Sequence, residues 1–465
     1  MKQVNKDRDN LWREGFSANI HLSKGNVMGT TETLYMTETK LNRIAWLSKQ
    51  DPSKEFECLM HLFNKESLLE CFHGIDGNKA VGIDGMTKKR YAEKLDENIE
   101  TLLTNMKKMA YHPGPVRETL IPKEGKPGAT RPLGISQFED KIVQRMMQRV
   151  LESIYEPLFL DCSYGFRPGR GCHDAIKDLQ NYLYGHHVRT VIDIDLKNFF
   201  GTINHNLLEN LLRDKIKDTK LMRYIIRMFK AGVLSEGDLK ISDQGVPQGS
   251  ICSPIMSNIF AHYVLDIWIQ EDVKSRCKGE VRLFRYADDA IICCQYEEDA
   301  VRIRETLPKR LGRFQLQLNE EKTKMVNFDK QKAAKGIIQD TFDFLGFTFY
   351  YGKSSFGKIV PKLKTKPKAI NSKLKKVTEW FKEIRNQMTL KEIWRTFCAK
   401  LRGHIQYYGV SHNIKSVEKF IYESRKTAFK WLNKRSQRTS FTWEKFEKFL
   451  EKNPLPRAKV VHRLF

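Results

Sequence analysis

Three aspartates stand where they could do chemistry together. Asp195 lies in the run 191–196, VIDIDL, and Asp288 and Asp289 are adjacent within the run 281–294. Strand alternation puts Val191, Asp193 and Asp195 on one face of the first run and Ile192, Ile194 and Leu196 on the other. The second run reads as a hairpin, two apolar strands around the polar tip Tyr286-Ala287-Asp288-Asp289. Taken singly, an acid pair in a turn is most often a solvated turn, and one acid at a strand end is as ordinary. The apolar flanks weigh against that, because they set all three acids on core strands. Three clustered carboxylates repel one another unless a cation lies among them. Mg²⁺ takes hard oxygen ligands and keeps some of its waters, so two or three carboxylates plus phosphate oxygens suffice to hold it. Two such ions about 4 Å apart clamp the attacking and leaving oxygens of a nucleotidyl transfer. That chemistry needs its carboxylates on rigid elements, and a strand beside a hairpin supplies them.

The elements around these runs follow from periodicity. Residues 1–40 show no clear period and are expected to form a loose arm. From 41 to 71 apolar residues recur at helical spacing, with Leu59, Leu62 and Phe63 and then Leu68, Leu69 and Phe72 in step. Residues 82–87, GIDGMT, form a loop. The Pro- and Gly-rich stretch 111–135 contains short β-prone pieces at 119–121 and 133–135. Ile142, Val143, Met146, Met147, Val150, Leu151 and Ile154 share one helix face, and the segment SYGFRPGRGCH (163–173) breaks the pattern. Residues 206–229 read as one helix, 246–260 as a turn entering a helix, 300–314 as a helix and 342–350 as a strand. His173 and His205 read as polar residues at helix starts, with no chemistry assigned.

The chain has 465 residues, enough for more than one domain, and a formal net charge of +25. Such an excess calls for a polyanionic partner, nucleic acid first and an anionic membrane surface second. The segment from about residue 353 onward carries roughly +20 of it. Ile370, Leu374, Val377, Phe381, Ile384 and Met388 step at helical intervals there. Ile393, Phe397, Leu401, Ile405 and Tyr408 mark a second helix, and Val417, Ile421, Ala428 and Leu432 a third. A small bundle with a basic outer face is expected. No apolar run is long enough to span a membrane, and residues 1–10 resemble no secretion signal. The nine cysteines include no CxxC pair. This argues against a disulfide framework or zinc site, and it suits a reducing cytoplasm such as the bacterial cytosol.

Taken together, RYADD (285–289), DLKNFF (195–200) and VPQGSICSPIMSN (246–258) resemble the reverse transcriptases encoded by group II introns. IPKEGKPGATRPLGI (121–135), YGFRPGRGCHDAI (164–176), LNEEKTK (318–324), FLGF (344–347) and LRGHIQYYG (401–409) fit the same family in order and spacing. The resemblance covers about residues 41–465. It implies an α+β right-hand polymerase with an N-terminal arm (1–40), fingers (41–190), a palm (191–352, part of the fingers interleaved) and a helical thumb or maturase domain (353–465).

The resemblance also implies roles. Asp195, Asp288 and Asp289 would bind two Mg²⁺ ions. Phe200 would lie under the incoming sugar and exclude a ribose 2′-hydroxyl, with Phe199 a core residue. Gln248 would touch the nucleotide, Lys123 and Arg131 the triphosphate, and Lys322 would stand near the leaving pyrophosphate. Phe344, Leu345, Gly346 and Phe347 would hold the primer strand. Simple packing or a solvated surface charge is the plain alternative for each. Lys373, Lys375, Lys376, Arg425, Lys426 and Lys430 are expected to face outward from the helices, free for RNA phosphates and remote from the metal site. The implied partners are group II intron RNA or another structured RNA template, a DNA primer or target, and dNTPs. The implied function is copying RNA into DNA, with assistance to splicing and retrohoming. A host-recruited relative serving phage defence or repair, and a splicing factor with no needed polymerase, are the alternatives. Two positions depart from the family pattern: Gly201 replaces the usual Asp after the paired Phe, and Asn204 the usual Asp before His205. The family's His- and Cys-rich endonuclease domain is not expected.

Overall fold

The computed structural model describes residues 31–122, 128–235, 237–435 and 442–464. Residues 31–40, expected to be loose, are instead the first half of helix α1 (Thr31–Gln50). The helix buries Leu41 and Ile44 and packs on α2 (Phe138–Tyr155). α2 forms where the apolar spacing places it, and Glu139 and Asp140 in its first turn suit the positive end of the helix dipole. Its seven predicted core residues are all buried. Ahead of α2, β1 (Val116–Pro122) and β2 (Thr130–Ile135) pair as a hairpin. After it come α3 (Cys172–Gly185) and β3 (Thr190–Ile194).

The run 206–229 is two helices, His205–Arg213 and Thr219–Lys230. Asp218 breaks it. One carboxylate oxygen of Asp218 caps Lys220 and Leu221, and the other accepts the amides of Leu59 (2.7 Å) and Met60 (3.0 Å). Such a tertiary cap leaves no mark in hydrophobic spacing. Strands β4 (Val233–Ser235) and β5 (Asp238–Lys240) then join the first hairpin in a sheet of order β2-β1-β4-β5.

Helix α4 (Ser253–Ala261) continues through π-helical turns to Val273. It leads to β6 (Val281–Tyr286) and β7 (Asp289–Cys294), then to α5 (Glu297–Arg313) and β8 (Lys324–Asn327). These strands and β3 form an antiparallel sheet of order β6-β7-β3-β8. Both of its faces are covered. Ile192, Ile194 and Ile292 enter the main core, whereas Val191, Ile291 and Cys293 pack into a second cluster with α3 and the next sheet.

Residues 342–350 are a hairpin, β9 (Phe342–Phe344) and β10 (Phe347–Lys353), completed by β11 (Ile359–Thr365). FLGF is its turn, with Leu345 and Gly346 both at positive φ (49° and 79°), which accounts for a glycine there. A division at residue 353 falls before β11, so the helical part begins later, with α6 (Pro367–Ile384). It continues through α7 (Leu390–Tyr408), α8 (Ile414–Leu432) and a further helix, α9 (Trp443–Lys452). Most of the predicted apolar stripes meet Trp380, Trp394 and Phe446 in their own core, whereas Ile405, Tyr408, Val417 and Ile421 pack into the second cluster with the sheets. The whole is α+β. All nine cysteines are unpaired thiols, and among the described residues no helix is long and apolar enough to cross a membrane.

Candidate active site

Strand pairing brings the three aspartates together. β3 runs antiparallel to β7 with Ile194 opposite Ala290, so Asp195 and Asp289 come next at the same end of the sheet. Asp288 precedes Asp289 in the two-residue turn closed by Tyr286 and Asp289. Ala287 begins that turn at φ 57°, a conformation glycine usually supplies.

Residues 318–324 wrap Asp195. Its carboxylate accepts Asn319 Nδ2 at 2.8 Å and Lys322 Nζ at 2.9 Å, and its amide donates to Thr323 Oγ1 at 3.2 Å. Solvent reaches Asp288 and Asp289, yet protein rings both closely. This surrounding burial, and then the charges of Asp288, Asp193 and Asp195, push Asp289 up to about 7. Burial and Asp195 also raise Asp288. Asp193 rises to about 6 through burial and Asp343, with Lys366 opposing; Lys366 itself pairs with Asp343 at 3.1 Å.

Among the described residues no three acid, imidazole or thiol side chains form a ready-made metal cage. The Asp195 carboxylate is engaged by Lys322 and Asn319. The donors nonetheless fit a divalent cation. They are hard oxygens, two of them, those of Asp288 and Asp289, crowded until they resist ionisation, and an ammonium already stands against the third.

A stability prediction follows from Asp289. Its folded-state pKa lies above the unfolded value of about 3.9, so the stability linked to its protonation is complete at low pH and is lost as pH rises through about 7. Asp289→Asn should therefore melt higher than the parent chain above about pH 7, and the two should converge near pH 4. Adding Mg²⁺ should raise the melting temperature of the parent chain and scarcely move the variant. Parallel melting curves across this range would refute the carboxylate repulsion.

The other predicted residues are distributed as follows. Phe199 is core, whereas Phe200 is half-buried, edge-on to Phe166 at 6.4 Å. The Phe200 carbonyl accepts the Val246 amide at 2.8 Å, tying it to the VPQG turn. The Gln248 carbonyl in that turn accepts the Gly134 amide at 2.6 Å. A side chain at Gly249 would meet the Gly134 carbonyl at 2.6 Å, so the turn lies flat on β2. Arg131, on β2 opposite Ile121, is exposed. Lys123 lies outside the described residues.

Phe344 and Phe347 are buried and pair across the FLGF turn. The Leu345 carbonyl accepts the Tyr407 hydroxyl at 2.8 Å, and a side chain at Gly346 would lie 2.9 Å from the Tyr408 hydroxyl. Lys373, expected to face outward, sits over the Tyr408 ring at 4.5 Å and so stands beside the FLGF turn. Arg425 does not stand free: it pairs with Glu447 and lies over Trp443 at 5.2 Å. Lys426 lies 3.5 Å from Glu423, and Lys375 and Lys430 are exposed. His173 and His205 each bond a backbone carbonyl, of Tyr407 (2.8 Å) and Gly245 (2.7 Å).

Residues 121–349 match the family model described as reverse transcriptase (RNA-dependent DNA polymerase). The chain is 30% identical to Protein YkfC of Escherichia coli (strain K12), over 68% of this chain and 89% of that protein. The chain belongs to the reverse transcriptase family. Within that family it is of the group II intron-encoded type. It is 28% identical to the group II intron-encoded protein LtrA of Lactococcus lactis subsp. cremoris, over 82% of this chain and 75% of that protein. A shorter stretch, 23% of the chain, is 28% identical to nuclear intron maturase 1 of Arabidopsis thaliana.

This reverse transcriptase absorbs its two departures locally. A side chain at Gly201 would collide with Asn198 Nδ2, so the Asn198 amide fills the space an aspartate would need. Asn204 caps the following helix through Leu207 N at 3.0 Å, as an aspartate would, and also donates to Gln315 at 3.0 Å. Asp193, Asn319, Thr323, Phe166 and Arg285 surround the aspartates without having been singled out in the sequence. Four of them, all but Asp193, lie inside recognised motifs, but spacing does not reveal a buried partner.

Proposed function

We propose that this reverse transcriptase copies intron RNA with Asp195, Asp288 and Asp289 as ligands of two Mg²⁺ ions, and that it docks the same RNA to assist splicing and retrohoming. The observation that carries this reading is the convergence of the three aspartates at one end of the sheet, with Asp288 and Asp289 held above their ordinary pKa by burial and by the neighbouring carboxylates. The bound ions would lower the pKa of the primer 3′-hydroxyl and neutralise phosphate charge. The chain's own groups do the rest. Asn319 and Lys322 orient Asp195. Lys322 is near enough to the carboxylates to serve the departing pyrophosphate. Arg131 would reach the triphosphate from β2, Lys123 is assigned to the same phosphates on its motif alone, and Gln248 would touch the nucleotide. Phe200 would close the space below the sugar. The FLGF turn, braced by Tyr407 and Tyr408, would hold the primer, with Lys373 beside it for a phosphate. In this reading residues from about 41 to 190 act as fingers, the sheet carrying the aspartates as palm and the helical end as thumb.

The RNA-docking part rests on charge and is tested by charge. Lys375, Lys426 and Lys430 are exposed; Lys375 and Lys426 have surface ion pairs with Glu379 and Glu423, which bind weakly, and Lys426 also lies over the Tyr422 ring at 4.3 Å. Neutralising these three lysines should weaken binding to structured RNA and lower the salt slope by roughly one unit for each phosphate left without its lysine. Splicing assistance should fall with it, while extension of a pre-bound primer should hold. Neutralising Lys373 should do the reverse, impairing extension first. RNA affinity against salt, measured alongside extension rate for both sets, checks this. Loss of both activities in equal proportion in the triple variant would remove the separate docking surface.

A further inference from the structure

The largest fully buried side chain in the described protein is a charged one, Arg285, next to the Tyr-Ala-Asp-Asp turn. All five of its N–H groups are used. Nε and Nη2 grip the two oxygens of Asp266 at 2.7 and 2.6 Å. Nη2 also donates to Ser163 Oγ at 2.8 Å, and Nη1 is shared between Asn258 Oδ1 and the Ala287 carbonyl, both at 3.1 Å. The Asn258 amide extends to the Gly165 carbonyl at 2.6 Å. Gly165 in turn presses on the turn from outside, for a side chain there would lie 2.5 Å from the Ala287 amide. Asp266 stands in the π-helical continuation of α4, a rare geometry that recurs at functional sites.

A buried ion pair is a poor way to add stability, since an apolar pair of like volume often does as well or better. What the guanidinium supplies here, and an apolar side chain could not, is a donor aimed at the Ala287 carbonyl. That carbonyl belongs to the one residue of the turn held at positive φ, and its orientation sets the peptide from which Asp288 projects. We infer that Arg285, anchored by Asp266 and Asn258, is the positioning residue that aims the Asp288 and Asp289 carboxylates. The inference rests on the proposed role of those two aspartates in nucleotidyl transfer.

The test is the paired replacement Arg285→Met with Asp266→Leu, which fills the volume and removes both charges. The primer–template Kd and KM for dNTP should stay close to those of the parent chain, and the melting temperature should fall only modestly, as Asn258 Oδ1, Ser163 Oγ and the Ala287 carbonyl lose their donor. The extension kcat should fall on the order of a hundredfold, the scale of a 1 Å misplacement of reacting groups. Amide exchange in a peptide spanning the turn should quicken. Unchanged kcat in the folded variant would overturn the inference, and so would losses of kcat, Kd and melting temperature in step. If the pair does not fold, Asn258→Ala leaves the ion pair in place. It should lower kcat about tenfold at unchanged Kd, and an unaltered kcat there would equally overturn the inference. Asp288→Ala, run alongside, separates the two layers: full activity in that variant defeats the aspartate reading itself.

Discussion

Asp288→Ala should reduce primer extension by on the order of a thousandfold or more while leaving RNA affinity nearly unchanged. The carboxylate removed is one of three hard donors at the end of the sheet, and charge stabilisation aimed at the reacting oxygens is commonly the largest single contribution to catalysis. The variant should also fold well. Asp288 is held above its ordinary pKa by burial and by Asp195, so removing it relieves repulsion, and melting at neutral pH should be equal or higher. Single-turnover extension on a pre-annealed primer and template, with RNA binding and melting on the same preparation, gives all three quantities. Synthesis near the parent rate would end the assignment of this carboxylate. Loss of extension together with loss of folding would leave the chemistry unproven and point to the turn as structural.

Phe200→Ala should raise ribonucleotide incorporation relative to deoxyribonucleotide incorporation on the order of a hundredfold, since discrimination by shape is worth about 1–3 kcal/mol per small group. The ring is only half-buried, set edge-on against Phe166, while the adjacent Phe199 is committed to the core. Truncating Phe200 should therefore open space at the surface of the site with little effect on stability; truncating Phe199 should unfold it. The ratio of kcat/KM for dNTP to that for rNTP is the measurement. An unaltered ratio would place the sugar gate elsewhere, with the exposed ring of Phe166 the first position to examine.

The sequence alone determined several of the elements. Periods of two and of 3.6 residues located β3, the β6–β7 hairpin, α2 and three helices of the C-terminal bundle, because each has a continuous apolar face that local spacing records. The motifs, taken in order, determined the family and the aspartates worth testing. Tertiary structure decided what local spacing could not encode. Asp218 splits a run with continuous helical spacing by capping one helix while holding a loop from far earlier in the chain. Residues 31–40 join a helix that packs on α2, where Glu38 pairs with Arg149. Lys373 and Arg425 looked like equivalent outward charges on helices, yet one lies on Tyr408 beside the FLGF turn and the other is paired with Glu447. Arg285 was legible only as one letter of a motif. Its burial, its five donors and its hold on Ala287 arise from residues 163, 258 and 266 meeting in space, and such a meeting is a property of packing, which one-dimensional spacing does not carry.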